Sequence, residues 1–292
     1  MPSTRDIRRR IKSVKSTAQI TKAMQMVAAS KMRRAQQAAL AGRPYAALMN
    51  EVLASVGGLV SDFSHPFLQK RETIRKKAVI FVSTDKGLCG GLNSNLAREA
   101  TRSEKGPTAY ICAGKKGAQF IARTKRELTA EFTYKDTPLF AEARAISKFA
   151  QELYLEEKVD QVDVLYTNFI STLNQKPIIR QLLPIIAIEP AIPAFEKEAP
   201  VPTGPEVTEY LFEPGPAQVL GALLPHYLNY QVYQILLEAK ASEHSSRMVA
   251  MKNATDNAKQ LIKDLTLEYN KLRQANITKE LLEITSAAMA MG

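Results

Sequence analysis

The hydrophobic positions change period three times along the chain. From residue 4 to 56, apolar and small residues recur at alternating steps of four and three: Ile7, Ile11, Val14, Ala18, Thr21, Gln25, Ala28, Met32, Ala35 and Ala39. That is a coiled-coil seam with small and polar members. A second apolar line, Ile20, Met24 and Val27, runs alongside. Ser3 or Thr4 can cap the start. Only Gly42 and Pro44 interrupt a run of good helix formers, so the pattern predicts one helix that continues past residue 40 without a break.

Gly57, Gly58 and Pro66 end that helix, and 58–75 reads as a linker. The period then shortens. AVIFVSTD (78–85) is a continuous apolar, β-branched run, the pattern of a strand buried on both faces. KGLCGGLN (86–93) is a Gly-rich turn leading into a helix. TAYICAG (108–114), VDQVDVLYTNFIS (159–171) and the stretch from Ile178 to Ile188 read as further strands. GKKGAQFIART (114–124) and AEARAISKFAQELYLEE (141–157) read as helices. Strands alternating with helices imply an open, mainly parallel α/β sheet.

Residues 189–216 hold seven prolines, with Pro184 just before them, and read as a surface loop. From 217 to 291 the helical period returns, broken only by Gly221 and Pro225. Met251, Ala254, Ala258, Leu261, Leu265, Leu272 and Ala275 form a second seam, with Glu268 a polar member. Ile277, Leu281, Ile284 and Ala288 continue it on a shifted phase. Roughly 70 residues of helix span about 100 Å. The predicted architecture is therefore an α/β insert on a long antiparallel two-helix coiled coil. Its parts are an N-terminal helix (1–57), a linker (58–75), a globular domain (76–216) and a C-terminal helix (217–292).

Charge sharpens this picture. The formal net charge is +11, yet residues 1–43 hold eleven basic groups against the single acid Asp6, and the remainder is almost balanced. A generally cationic coat is excluded. Three readings of the basic start remain open on charge alone. It could be a DNA-reading helix, a solvated face, or an electropositive helix facing an acidic protein surface. No apolar run reaches the ~20 residues of a membrane helix, and the basic start leads into no secretory h-region.

Candidate chemistry is sparse. Cys89 and Cys112 form no CxxC and read as two ordinary thiols. His65, His226 and His244 lack metal-ligand spacing and read as surface or interface residues. Asp160 and Asp163 read as solvated. KGLCGGLN fits neither GxGxxG nor a phosphate loop and reads as a tight turn. An enzyme reading would place its site near Asp85, without a complete motif.

Three ordered blocks resemble the gamma-subunit family of the rotary proton-translocating ATP synthase. They are ITKAMQMVAASKMRRAQ (20–36), FVSTDKGLCGGLN (81–93) and the stretch from Ser245 to Ala290 that opens SSRMVAMKNATDNAKQ. YLFEPGP (210–216) and NYQVYQ (229–234) are similar too. The chain departs from the family's habit at Leu282 and Ala287.

The resemblance implies a non-catalytic central-stalk rotor that couples proton flow through the membrane c-ring to ATP synthesis or hydrolysis. The implied partners are three alpha and three beta subunits, epsilon and the c-ring, with no nucleic acid and no membrane span. Cofactors are implied only elsewhere, as Mg-nucleotide on alpha and beta. The implied beta-coupling contacts are Lys22, Met24, Arg247, Gln274, Thr278 and Glu280. Tyr210 and Glu213 match foot positions near the c-ring and epsilon. The cysteine spacing does not match the family's redox-regulated version. The expected location is the cytoplasmic side of a bacterial inner membrane, peripheral, with an organellar membrane after transit-peptide removal as the alternative.

Overall fold

The structure is a computed structural model, and it describes residues 3–59, 65–186 and 212–291. The chain divides into two compact units, one of residues 1–27 with 248–292 and the other of 28–247.

The first unit pairs the start of α1 (Thr4–Ala41) with the end of the 76-residue helix α6 (Pro216–Met291). Thr21 lies against Thr255, and Arg8 stacks on the ring of Tyr269. Moving back 13 residues on one helix moves forward 14 on the other, so the helices are antiparallel, as the seams predict. On α1, Ile7 and Thr21 are buried while Ile11, Val14, Ala18 and Gln25 are half-buried, which is the predicted seam. Ile20 and Val27 of the second apolar line are exposed.

The α6 seam is corrected by one position. Met251, Thr255, Ala258, Ile262, Leu265, Tyr269 and Leu272 turn inward, whereas Leu261 and Glu268 face out. Spacing from Ala258 admits either Leu261 or the equally apolar Ile262, and the facing helix selects Ile262. Beyond Leu272 every side chain up to Met289 is exposed. By the register above, Thr4 at the start of α1 lies opposite residue 272 or 273. The shifted seam Ile277, Leu281, Ile284 and Ala288 therefore meets nothing among the described residues.

The second unit is a five-stranded sheet. Its strands are β1 (Lys77–Val82), β2 (Thr108–Ala113), β3 (Glu127–Phe132), β4 (Gln161–Phe169) and β5 (Gln175–Leu183), in the order β3-β2-β1-β4-β5. The first four are parallel and β5 is antiparallel to β4, so the sheet is mixed at one edge. Helices α3 (Leu92–Ser103), α4 (Lys115–Arg123) and α5 (Phe140–Leu155) make the crossovers.

Strand residues alternate between two cores. Ile80, Val82, Ile111, Val162 and Val164 pack with α5, α6 and α2 (Arg43–Leu59). Phe81, Tyr110, Cys112 and Leu165 pack with α3 and α4. Burial on both faces explains why these strands lack a polar alternation. The strand β3 is absent from the sequence reading because its polar edge sequence, ELTAEF, shows little burial on either face.

Other expectations change. The N-terminal helical run is interrupted at Gly42, between α1 and α2, and Gly57 and Gly58 lie inside α2. At Gly42 the hydroxyl of Tyr230 donates to the glycine carbonyl, and a Cβ there would overlap that hydroxyl and the Gln234 amide. His244 and Asp163 are buried, and the Asp163 carboxylate accepts from Gln161 at 2.6 Å. Burial raises the Asp163 carboxyl above the usual range. Asp160 accepts from Arg71 (2.8 Å) and from the backbone amides of Arg75 and Lys76. The sequence pattern reads His244 as a surface or interface residue and Asp160 and Asp163 as solvated because it reports residue type, not what packs over it.

Candidate coupling surfaces

The Gly-rich turn leaves the carboxyl end of β1, where the sheet order reverses between β1 and β4. In open α/β sheets that is the place where a ligand crevice forms. Here the second unit's own helix takes it. Ser246 Oγ donates to the Cys89 carbonyl at 2.7 Å. Arg247 donates to the carbonyls of Lys86 and Gly87 at 3.2–3.4 Å. Within the turn, Thr84 Oγ1 donates to the Lys86 carbonyl, and Asn93 Nδ2 donates to Thr84 Oγ1. Leu88 (φ 62°) and Gly90 (φ 58°) supply the left-handed residues that reverse the chain.

Asp85 accepts the Lys115 N–H at 3.0 Å and so caps α4. Its carboxylate serves a helix end, and the turn serves an intrachain joint. Both observations fit the tight-turn reading of KGLCGGLN.

Behind Arg247 lies a buried charge row on one face of α6. Lys240 Nζ meets Glu243 Oε2 at 2.9 Å, and Arg247 Nη2 meets Glu243 Oε1 at 2.8 Å. The Lys240 ammonium also sits 4.5 Å from the ring centre of Tyr134, whose hydroxyl donates to the Ser83 carbonyl. His244 Nδ1 lies 3.4 Å from Arg247, and its Nε2 is buried without a partner. Burial draws this imidazole down to about 4. The i, i+3 and i, i+4 spacing of Lys240, Glu243 and Arg247 was legible in the sequence. Nothing in the sequence pointed to Tyr134 as their neighbour.

The structure places the other expected contact residues as follows. Lys22 is exposed and donates to Gln25 at 3.4 Å, and Met24 beside it is half-buried. Gln274, Thr278 and Glu280 are exposed on the stretch of α6 beyond the paired segment, and the Thr278 hydroxyl back-bonds to the Gln274 carbonyl. Thr255 faces Thr21, so Gln274, nineteen residues on, stands about 28 Å from the Lys22 level. Lys22 and Met24 thus form one group and Gln274, Thr278 and Glu280 another. Glu213 is exposed, and Tyr210 lies outside the described residues.

Among the described residues no group of three His, Cys, Asp or Glu side chains could hold a metal ion, and no helix is long and apolar enough to cross a membrane.

The sequence profile of the ATP synthase family matches residues 3–291. The ATP synthase gamma chain of Opitutus terrae is 53% identical over 99% of both chains. That of Methylacidiphilum infernorum is 47% identical over the full length of both. Among solved structures, a chain of the Tetrahymena thermophila mitochondrial ATP synthase central stalk and c-ring is similar. It has a TM-score of 0.59 and 26% identity, covering 80% of this chain and 99% of that one. A chain of the Euglena gracilis mitochondrial ATP synthase shares the fold, with a TM-score of 0.67 and 19% identity, covering 99% and 94%. The chain belongs to the gamma-chain family of the ATP synthases, the central-stalk subunit of that complex and not a catalytic one.

Proposed function

We propose that this chain is a rotor that couples proton flow through a membrane c-ring to nucleotide chemistry on surrounding alpha and beta subunits. Mg-nucleotide would bind those subunits and not this chain. Rotation would present different faces of the helix pair to three equivalent beta subunits and so shift each between open and closed states. The observation that carries the reading is the end of α6. Ile277, Leu281, Leu282, Ile284 and Met289 are all about half or more exposed on a stretch that no described part of this chain covers. So long an apolar stretch calls for a sleeve supplied by other subunits.

Lys22, Met24, Arg247, Gln274, Thr278 and Glu280 are the proposed contacts with beta. Tyr210 and Glu213 are the proposed contacts toward epsilon and the c-ring. The complex would hold this chain peripherally, on the cytoplasmic side of a bacterial inner membrane. The test is copurification: one copy should be recovered with three alpha and three beta subunits, and it should activate the ATPase of an alpha–beta mixture. Recovery as a solitary chain without effect on that ATPase sinks the proposal.

A further inference from the structure

Arg247 can hold the turn only if its guanidinium is aimed, and Glu243 is placed to aim it. Glu243 is 5% exposed and grips two cations with its two oxygens, Lys240 through Oε2 and Arg247 through Oε1. Lys240, 2% exposed, is itself held against the Tyr134 ring. The carboxylate is thereby fixed from one side and presents its second oxygen to Arg247. The remaining N–H groups of Arg247 reach the carbonyls of Lys86 and Gly87, one residue before the exposed Leu88. A planar fork held by a carboxylate on one edge offers its other donors in a fixed direction.

We propose that Glu243 is a positioning residue: it orients Arg247 so that the turn 86–88 is clamped to α6 and Leu88 is presented on a rigid joint. This rests on the reading of Arg247 as part of the coupling machinery, and it adds how that residue is set. With Glu243 neutral, Arg247 loses its guide and two cations are left buried with less compensation. The turn then keeps only Ser246 and its internal bonds.

The test uses the full chain with Leu88→Cys carrying a nitroxide label, the native thiols being buried, and reads the ratio of mobile to immobile spectrum. Glu243→Gln should raise that ratio on the order of tenfold, the loss expected of one charge-assisted bond. Arg247→Ala should raise it equally, and the double variant no further, because the two act in series. Glu243→Asp should restore part of the immobile signal. Where Glu243→Gln alone fails to fold, Lys240→Met with Glu243→Gln removes the buried excess charge and should show the same mobile turn.

A ratio within twofold of the parent in Glu243→Gln, while Arg247→Ala raises it, overturns the proposal. So do two effects that multiply independently. If Glu243→Gln and Arg247→Ala both free the turn but Arg247→Ala leaves proton pumping per ATP unchanged in the assembled complex, the positioning role stands and the coupling role of Arg247 falls.

Discussion

The hydroxyls of Thr21 and Thr255 meet at 2.7 Å across the two facing helices, a buried polar rung in a mainly apolar seam. Each hydroxyl has one proton, so two of three contacts are made at a time: the rung itself, Thr21 to the Ala18 carbonyl at 3.1 Å and Thr255 to that of Met251 at 2.8 Å. The rung sets the level at which α1 and α6 face each other.

Replacing one partner should cost about 1 kcal/mol, because the other hydroxyl can still give its proton to its own helix carbonyl. Thr21→Val with Thr255→Val should be closer to neutral than either single variant, since no buried hydroxyl is then left facing a methyl. Denaturant midpoints of the four proteins in the cycle measure this. A simple sum of the single effects would show that the rung carries no coupling.

At Gly42, between α1 and α2, the Tyr230 hydroxyl occupies the place of a side chain. Gly42→Ala should destabilise by about 1–3 kcal/mol through overpacking. Tyr230→Phe removes one of the two obstructing atoms, so the double variant should lose less than the two single losses added together. Thermal unfolding of the three variants reads this directly.

His244 predicts a pH dependence with a definite sign. The folded imidazole titrates at about 4 because it is buried, against about 6.5 in the unfolded chain. Between those values the unfolded state holds a proton that the folded state lacks. This contribution is whole above pH 6.5 and is lost as pH falls toward 4, by about 3 kcal/mol in total. The charges that act on the ring are Glu243, Arg247 and Lys240 on its own helix and Asp136 from the loop before α5, the two acids favouring its proton and the two cations opposing it. In His244→Gln the stability profile from pH 6.5 to 4 should be flatter. An unchanged slope would place the titration elsewhere.

Both thiols should be silent toward a thiol reagent at neutral pH. Burial pushes Cys112 up to about 12 and raises Cys89 as well. Two equivalents should react on denaturation. Ser246→Ala removes the bond to the Cys89 carbonyl, and it should speed labelling of Cys89 several-fold while Cys112 stays unreactive. Mass mapping of the labelled peptides separates the two.

Met24→Lys adds a cation at a half-buried position of α1, two residues from Lys22, on the segment proposed to face an acidic part of beta. It should lower proton pumping per ATP hydrolysed more than it lowers recovery of the complex. Unchanged pumping per ATP would remove Met24 from the contact.

The sequence alone determined the helices at both ends, the α1 seam position by position, the two-sided burial of β1, β2 and β4, and the reading of KGLCGGLN as a turn. It did so because a period of 3.5 or an unbroken apolar run reports which faces of an element are buried, whatever buries them. Tertiary structure alone decided the choice of Ile262 and Tyr269 over Leu261 and Glu268, the break at Gly42, the edge strand β3, and the buried row Lys240–Glu243–Arg247 with Tyr134. Those outcomes depend on what stands opposite: a facing helix selects between two adjacent apolar phases, a tyrosine hydroxyl excludes a Cβ, and a ring 106 residues away in sequence from Lys240 steadies its charge. Periodicity records the need for a partner, and only the folded chain supplies the partner's identity and distance.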